Sequence, residues 1–215
     1  MEAGLGVILL FILDKNLSKL LRGSEKRQGF YFSSLMNLER TIASKGASLL
    51  IREGDPSQEI GKIVTEFQIK TVFLNREDTP YGLARDKKIV TRCSNLGVHV
   101  EFCSDDHLTA PGLVTKDDGS SYTVFTPYYK KALKFEVPTP SQPSLQSIVK
   151  ISGVQSQRFP EISRWCSVEN PGYEPLSGDP EKILMRLKKA KDYKKFRDIP
   201  SEDGTTRLSA FLRFG

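Results

Sequence analysis

Short apolar runs alternate with amphipathic segments over the first half of the sequence, and this alternation constrains the fold more than any other feature. The run Val7–Leu13 is apolar throughout and has the length of a strand, as expected for a parallel strand covered on both faces. Three further strand-length runs follow, namely Ser48–Ile51, Thr71–Leu74 and Val98–Phe102. A repeated strand–helix order predicts an α/β protein with a doubly wound parallel sheet.

The segments between these runs have the apolar spacing of helices that pack one face against a sheet. The first helix is predicted at about 28–44 and ends at Gly46. The second begins at Asp55 and Pro56, a typical helix start, and the third ends at Gly97. The side chains predicted to face the core are Tyr31, Leu35, Leu38 and Ile42, then Ile60, Ile63, Val64 and Phe67, and finally Ile89, Val90, Cys93 and Leu96.

Beyond the fourth strand the regular pattern weakens. Asp117–Gly119 predicts a tight turn, and the proline-rich stretch that starts at Pro138 is typical of a linker. Near Glu181 a helix resumes, with apolar residues on one face and basic residues opposite. We therefore expect an α/β domain over 1–135, an inter-domain connector over 136–180 and a short helical segment over 181–215.

Composition and motifs exclude several classes of protein. No apolar run approaches the roughly 20 residues of a membrane-spanning helix. Cys93, Cys103 and Cys166 are odd in number and lack C-x-x-C spacing, so we expect neither a disulfide frame nor a zinc site. His107 has no partner cluster that could complete a metal site, and no dinucleotide, Walker or nucleophile-elbow motif occurs. An intracellular protein is expected, cytoplasmic or, in a eukaryote, nuclear.

The end of the sequence combines hydroxyl and basic side chains. Thr205–Ser209 follows Gly204 at a predicted helix start, where backbone N–H groups and hydroxyls can bind phosphate oxygens. On spacing alone, an ordinary helix N-cap is the more common explanation. The lysines from Lys188 to Lys195 are either a solvated helix face or a patch that neutralises DNA phosphates. Tyr193 is either a packed aromatic residue or a ligand contact.

The wider sequence resembles the DNA photolyase/cryptochrome family. The FAD-binding helical domain of that family opens with a Tyr, an Arg-Asp-x-Pro stretch and a Thr-Ser-x-Leu-Ser run. In this sequence the matching residues are Tyr193, Arg197–Pro200 and Thr205–Ser209. The one departure in the last run is Thr206, where the family usually has Ser. Further matches, in family order, are Arg27, Phe30, Ser34, Leu35, Leu38, Gly46, Gly54, Asn75, Ala84, Arg85 and Asp86, followed by Tyr122–Tyr128. The resemblance covers nearly the whole chain.

The resemblance implies specific binding residues. The flavin contacts it implies are Tyr193, Thr205, Thr206, Arg207, Leu208 and Ser209, and Arg197 would face the DNA backbone. Many members hold a folate antenna with an Asn-Glu pair at the position of Tyr81 and Gly82, so a folate here is the less favoured alternative. No catalytic side chain and no metal ligand is assigned, since in the family reduced FAD carries the chemistry.

The implied function is light-driven, FAD-dependent repair of cyclobutane pyrimidine dimers in DNA by a deoxyribodipyrimidine photolyase. Family members begin with a strand and loop reading approximately Trp-Phe-Arg-x-Asp-Leu-Arg, which Met1–Gly6 does not resemble. We therefore expect a fold without the family's first strand, and a chain that acts as an amino-terminal fragment. It would be enzymatic only with a helical domain joined to it or supplied by a separate chain. The alternative is a non-catalytic fragment or a cryptochrome-like interaction module.

Overall fold

The structure is a computed structural model that describes residues 6–17, 24–104, 108–109, 111–137, 139, 148–149, 185, 187–206 and 208–209. The chain forms two compact units, the first comprising 1–55 and 145–215 and the second 56–144. Most of the predicted connector, together with His107 and Cys166, lies outside the described residues. In the part of the chain that is described, no helix is long and apolar enough to cross a membrane.

The first unit contains strand β1 (Leu9–Asp14), helix α1 (Glu25–Ser44) and strand β2 (Leu49–Gly54). The two strands pair in parallel and in register, from Leu9 opposite Leu49 to Asp14 opposite Gly54. A parallel pair needs a long crossover connection, and α1 provides it. Upstream of β1, an isolated parallel bridge joins Val7 to Ile148.

Helix α1 and the strand pair enclose the core of the first unit. Its buried members are Leu13, Phe32, Leu35, Ile42, Ala47, Leu49 and Ile51. Ser24 caps the start of the helix, where its hydroxyl accepts a hydrogen bond from the backbone N–H of Arg27. Gly46, two residues beyond the last helical residue, has a φ of 77° that suits glycine. The prediction that Leu38 faces this core is wrong, since its side chain is 49% exposed. The buried stripe instead runs through Phe32, which the sequence pattern did not select.

The second unit repeats the parallel arrangement with helix α2 (Pro56–Phe67), strand β3 (Thr71–Asn75), helix α3 (Pro80–Asn95) and strand β4 (His99–Cys103). β3 pairs with β4 from Thr71 opposite His99 to Asn75 opposite Cys103. Among the described strands, hydrogen bonding joins β1 to β2 and β3 to β4 as two separate pairs. The α/β prediction with parallel strands is confirmed.

Helices α2 and α3 pack closely in the second unit. The side chain of Arg92 lies over Gly61, so a Cβ at position 61 would be 2.5 Å from Nε of Arg92. Ile60, Ile63, Val64, Ile89 and Cys93 are buried as predicted. Val90 and Leu96 were also predicted to face inward, but both are exposed. The buried face of α3 consists of Gly82, Asp86, Ile89 and Cys93. It therefore includes two residues that are not apolar and leaves out part of the apolar pattern.

A short helix, α4 (Phe125–Ala132), was not predicted because its sequence contains Pro127 and lies in a region without clear periodicity. It is held to the preceding segment by a 2.8 Å ion pair between Lys131 and Asp117 and by an edge-to-face contact between Tyr128 and Tyr122. The predicted turn at 117–119 is present, with Gly119 at a φ of 80°. Opposite these contacts, Phe125 and Tyr129 stack and remain exposed.

The core of the first unit yields a stability prediction. Ile51 is 0% exposed in the middle of β2, so Ile51→Ala removes buried apolar contacts and leaves a cavity. We expect a loss of about 2–5 kcal/mol in the free energy of unfolding, measured by urea denaturation followed by circular dichroism. Leu38→Ala is the control and should change the free energy by less than about 0.5 kcal/mol. A larger loss for Leu38→Ala than for Ile51→Ala would contradict the observed burial.

Candidate functional site

The predicted binding residues lie on the tail of the first unit. A 3-10 turn (Lys189–Asp192) leads directly into the four-residue helix α5 (Tyr193–Phe196). No residue of α5 is buried. The described lysines of this stretch, and the arginine after it, are all exposed: Lys188, Lys191, Lys194, Lys195 and Arg197. The tail therefore presents an exposed positive surface.

Arg197 is held in place by two neighbours. Its Nε atom donates to Oδ2 of Asp198 at 3.2 Å, and its guanidinium carbon lies 5.8 Å from the centroid of the Tyr193 ring. The hydrogen bond to Asp198 and the negative charge of that carboxylate raise the pKa of Arg197 above its ordinary value. Because the ion pair is exposed, it stabilises the fold little. Its effect is to orient a permanently charged guanidinium at the surface.

A hydrogen-bonded turn connects α5 to the hydroxyl-rich run. The backbone N–H of Arg197 donates to the carbonyl of Tyr193 at 2.9 Å, and the N–H of Ile199 donates to Phe196 at 3.0 Å. A third bond, 3.1 Å long, joins the N–H of Glu202 to the carbonyl of Ile199. The chain thereby reverses direction after α5.

The hydroxyl-rich run begins where this turn ends. Thr205, Thr206 and Leu208 are half-buried, while Ser209 is exposed and in helical conformation; Arg207 lies outside the described residues. Exposed backbone N–H groups at a helix start, together with threonine and serine hydroxyls, are suitable donors for phosphate oxygens. The structure thus brings Tyr193 and Arg197 into contact. The ligand roles of these residues remain predictions.

The region proposed for a folate antenna has a specific local packing. Gly82 is buried in the first turn of α3, where its N–H donates to the hydroxyl of Thr79 at 3.1 Å. The side chain of Glu77 lies directly over Gly82. A Cβ added at position 82 would therefore be only 2.5 Å from Cβ of Glu77. Tyr81 is exposed. The surface of Gly82 is therefore already covered by protein.

Two buried polar residues that the sequence reasoning missed are Asp14, at the carboxyl end of β1, and Gln28, on α1. Asp14 is only 4% exposed and Gln28 only 2%. Oδ1 of Asp14 accepts a hydrogen bond from the backbone N–H of Asn16 at 2.8 Å. Burial, and secondarily the charge of Asp14, raises the pKa of Tyr31 to about 12. Open parallel sheets bind ligands at this end of their strands, so the position itself was the available signal.

The remaining reactive side chains have structural surroundings. His99 is exposed, and its Nε2 atom lies 3.1 Å from Oε2 of Glu101. The two side chains form an exposed ion pair whenever the imidazole is protonated. Cys93 is fully buried, and this burial raises the pKa of its thiol. Within the described ranges, no group of three or more His, Cys, Asp and Glu side chains could hold a metal ion.

Comparison with known proteins gives one family. The family described as DNA photolyase matches residues 1–144. The deoxyribodipyrimidine photo-lyase of Synechococcus sp. is 25% identical over 97% of this chain and 46% of its own length. A second Synechococcus relative, described as an uncharacterized 31.6 kDa protein, is 26% identical over 97% of this chain and 75% of its own length.

A solved structure agrees with these sequence matches. The crystal structure of an archaeal photolyase from Sulfolobus tokodaii, described with two FAD molecules, superposes with a TM-score of 0.80 at 25% identity. The match covers 98% of this chain and 46% of the Sulfolobus chain. The chain thus spans about half the length of the photolyases that it matches.

The raised pKa of Tyr31 generates a pH-dependent prediction. Because its pKa in the folded protein lies above the ordinary value of 10.0, the neutral phenol stabilises the fold fully below pH 10. That stabilisation should be lost as the pH rises from about 10 to about 12. In this window, wild type should lose about 2–3 kcal/mol more unfolding free energy than Tyr31→Phe. Parallel pH curves for the two proteins, measured by urea denaturation, would contradict this cause.

Proposed function

Since its first 144 residues match the DNA photolyase family, this chain belongs to that family, and we propose that it is the amino-terminal part of a deoxyribodipyrimidine photolyase. Joined to the helical half of a photolyase, or combined with it as a separate chain, it would take part in light-driven repair of pyrimidine dimers in DNA. The observation that carries this proposal is the tail, where the guanidinium of Arg197 lies near the ring of Tyr193 and one hydrogen-bonded turn leads from them toward Thr205.

The tail residues fit part of a flavin site. Thr205 and Ser209 would donate hydroxyl hydrogen bonds to the flavin phosphates or ribitol. Tyr193 is 44% exposed and therefore has ring surface available for a flavin. These groups make one wall, whereas a bound cofactor of this size needs a pocket that buries most of its surface. The helical half would have to supply the other walls.

The chemistry of repair would come from bound FAD, which in its reduced, light-excited state supplies an electron to the damaged bases. This chain's own residues would bind and orient. Arg197 would hold a DNA phosphate near the lesion through a charge-assisted hydrogen bond, since its guanidinium is exposed and keeps its charge. The exposed lysines nearby would add attraction that weakens with salt.

A non-catalytic, cryptochrome-like module is the alternative. The Synechococcus 31.6 kDa relative is shorter than the photolyases, and this chain spans 75% of its length. That relative keeps the alternative open. The two functions differ in one measurable respect. A protein completed with a helical half that binds flavin and damaged DNA but repairs no dimers under light would support the module.

The incomplete flavin site generates the first functional prediction. We expect the purified 215-residue chain to contain no stoichiometric flavin after gel filtration, because one wall cannot bury the cofactor. The measurement is the visible absorbance of flavin relative to protein, with the whole Synechococcus photolyase purified in parallel as the positive control. A yellow 215-residue chain with one flavin per protein would contradict the proposed need for a helical half.

The second functional prediction separates the two roles within the tail. In a fusion of this chain to the helical half of the Synechococcus photolyase, Arg197→Ala removes a charge-assisted phosphate contact. We expect affinity for dimer-containing DNA to fall about ten- to hundredfold and its salt dependence to flatten, with flavin content unchanged. Thr205→Val combined with Ser209→Ala should instead lower flavin content first.

The controls for this experiment lie in the same stretch. Lys194→Ala removes an exposed positive charge from α5 without a matched family role, so it should weaken DNA binding less than Arg197→Ala. DNA affinity would be measured by fluorescence anisotropy in the dark at several salt concentrations. Equal effects of Lys194→Ala and Arg197→Ala would contradict the role of Arg197. Flavin loss in the Arg197→Ala variant alone would reverse the assignment.

A further inference from the structure

Gly204 makes a backbone contact that no other residue type could make. It is buried, and a Cβ built at position 204 would overlap the Cβ of Phe196 and lie 3.0 and 3.2 Å from its carbonyl carbon and Cα. Its φ lies outside the left-handed region, so glycine is not required here for conformational freedom. Close approach of two backbone segments is the physical reason for glycine at this position.

This contact closes the turn that leaves helix α5. Residues 197–203 leave the helix at Phe196, reverse through the hydrogen bonds of Ile199 and Glu202, and return to Phe196 at Gly204. Arg197 stands at the start of the closed turn, and Thr205 follows its end. The spacing between the proposed DNA contact and the proposed flavin contacts is therefore set by how closely Gly204 approaches Phe196.

We propose that Gly204 is a positioning residue, which holds Thr205 and Thr206 against the end of α5 so that their hydroxyls face the flavin phosphates. This role rests on the proposed function, because it concerns the same flavin site. Gly204 has no side chain that could contact a ligand, and it acts through the position of Thr205. A side chain at 204 would force the two segments apart by several tenths of an ångström or more, since backbone atoms cannot rotate away.

The geometry supplies a matched pair of second-site changes. Phe196→Gly removes the Cβ that the new side chain at 204 would overlap, whereas Phe196→Ala removes the ring but keeps that Cβ. If the overlap is the cause, Phe196→Gly should rescue Gly204→Ala and Phe196→Ala should not. General weakening of the tail by loss of the aromatic ring would affect both double variants alike.

The first arm of the test uses the 215-residue chain. Hydrogen exchange followed by mass spectrometry reports the amides of Ile199 and Glu202, which close the turn, and those of β1 and β2. Gly204→Ala should speed exchange of the turn amides about tenfold while leaving the strand amides unchanged. Addition of Phe196→Gly should restore most of the protection, and addition of Phe196→Ala should not. Unchanged exchange in Gly204→Ala, or equal rescue by both partners, would overturn the proposal.

The second arm uses the fusion with the helical half of the Synechococcus photolyase. Flavin retention during dialysis should fall about tenfold in Gly204→Ala and should follow the same order of rescue in the two double variants. A wild-type fusion that holds no flavin would overturn the proposed function and this role with it. A wild-type fusion that holds flavin, with Gly204→Ala retaining it equally, would overturn the positioning role alone.

Discussion

The parallel, in-register pairing of β1 with β2 is the constraint on which the first unit depends. Parallel strands need a long crossover and cover on their faces; α1 is that crossover, and its buried stripe covers the face that carries Leu13 and Ile51. The same pairing places Asp14 opposite Gly54 at the carboxyl ends of the strands. The charge of Asp14 at this position contributes to the raised pKa of Tyr31 on α1.

The tail depends on a different and more local constraint. Helix α5 is too short to be stable by itself, and its side chains are not buried in a core. Its position relative to the hydroxyl run is defined instead by backbone hydrogen bonds and by the approach of Gly204 to Phe196. Contacts of this kind fix geometry with little buried surface. A site built in this way would gain rigidity when a second protein surface covers it.

The strand and helix order could be predicted from the sequence because apolar periodicity reports burial directly. Periodicity failed where burial depends on whether another element packs against the helix. Leu38, Val90 and Leu96 continue the apolar pattern of their helices, but their side chains are exposed. Helix α4 was missed because it has no buried apolar stripe; one ion pair and one ring contact join it to the preceding segment. Asp14 and Gln28 were missed for a related reason, since apolar periodicity does not select polar residues. The flavin and DNA residues came from family resemblance, and spacing alone favoured an ordinary helix cap.

We propose that the turn after α5 forms the phosphate-binding wall of a flavin site. A crystal structure of the chain fused to the helical half of a photolyase, with flavin bound, tests this most directly. We expect a flavin phosphate or ribitol oxygen within about 2.7–3.2 Å of the hydroxyl of Thr205 or Ser209, with Gly204 still against Phe196. A flavin bound with its phosphates away from Thr205–Ser209, while the turn keeps the same conformation, would contradict it.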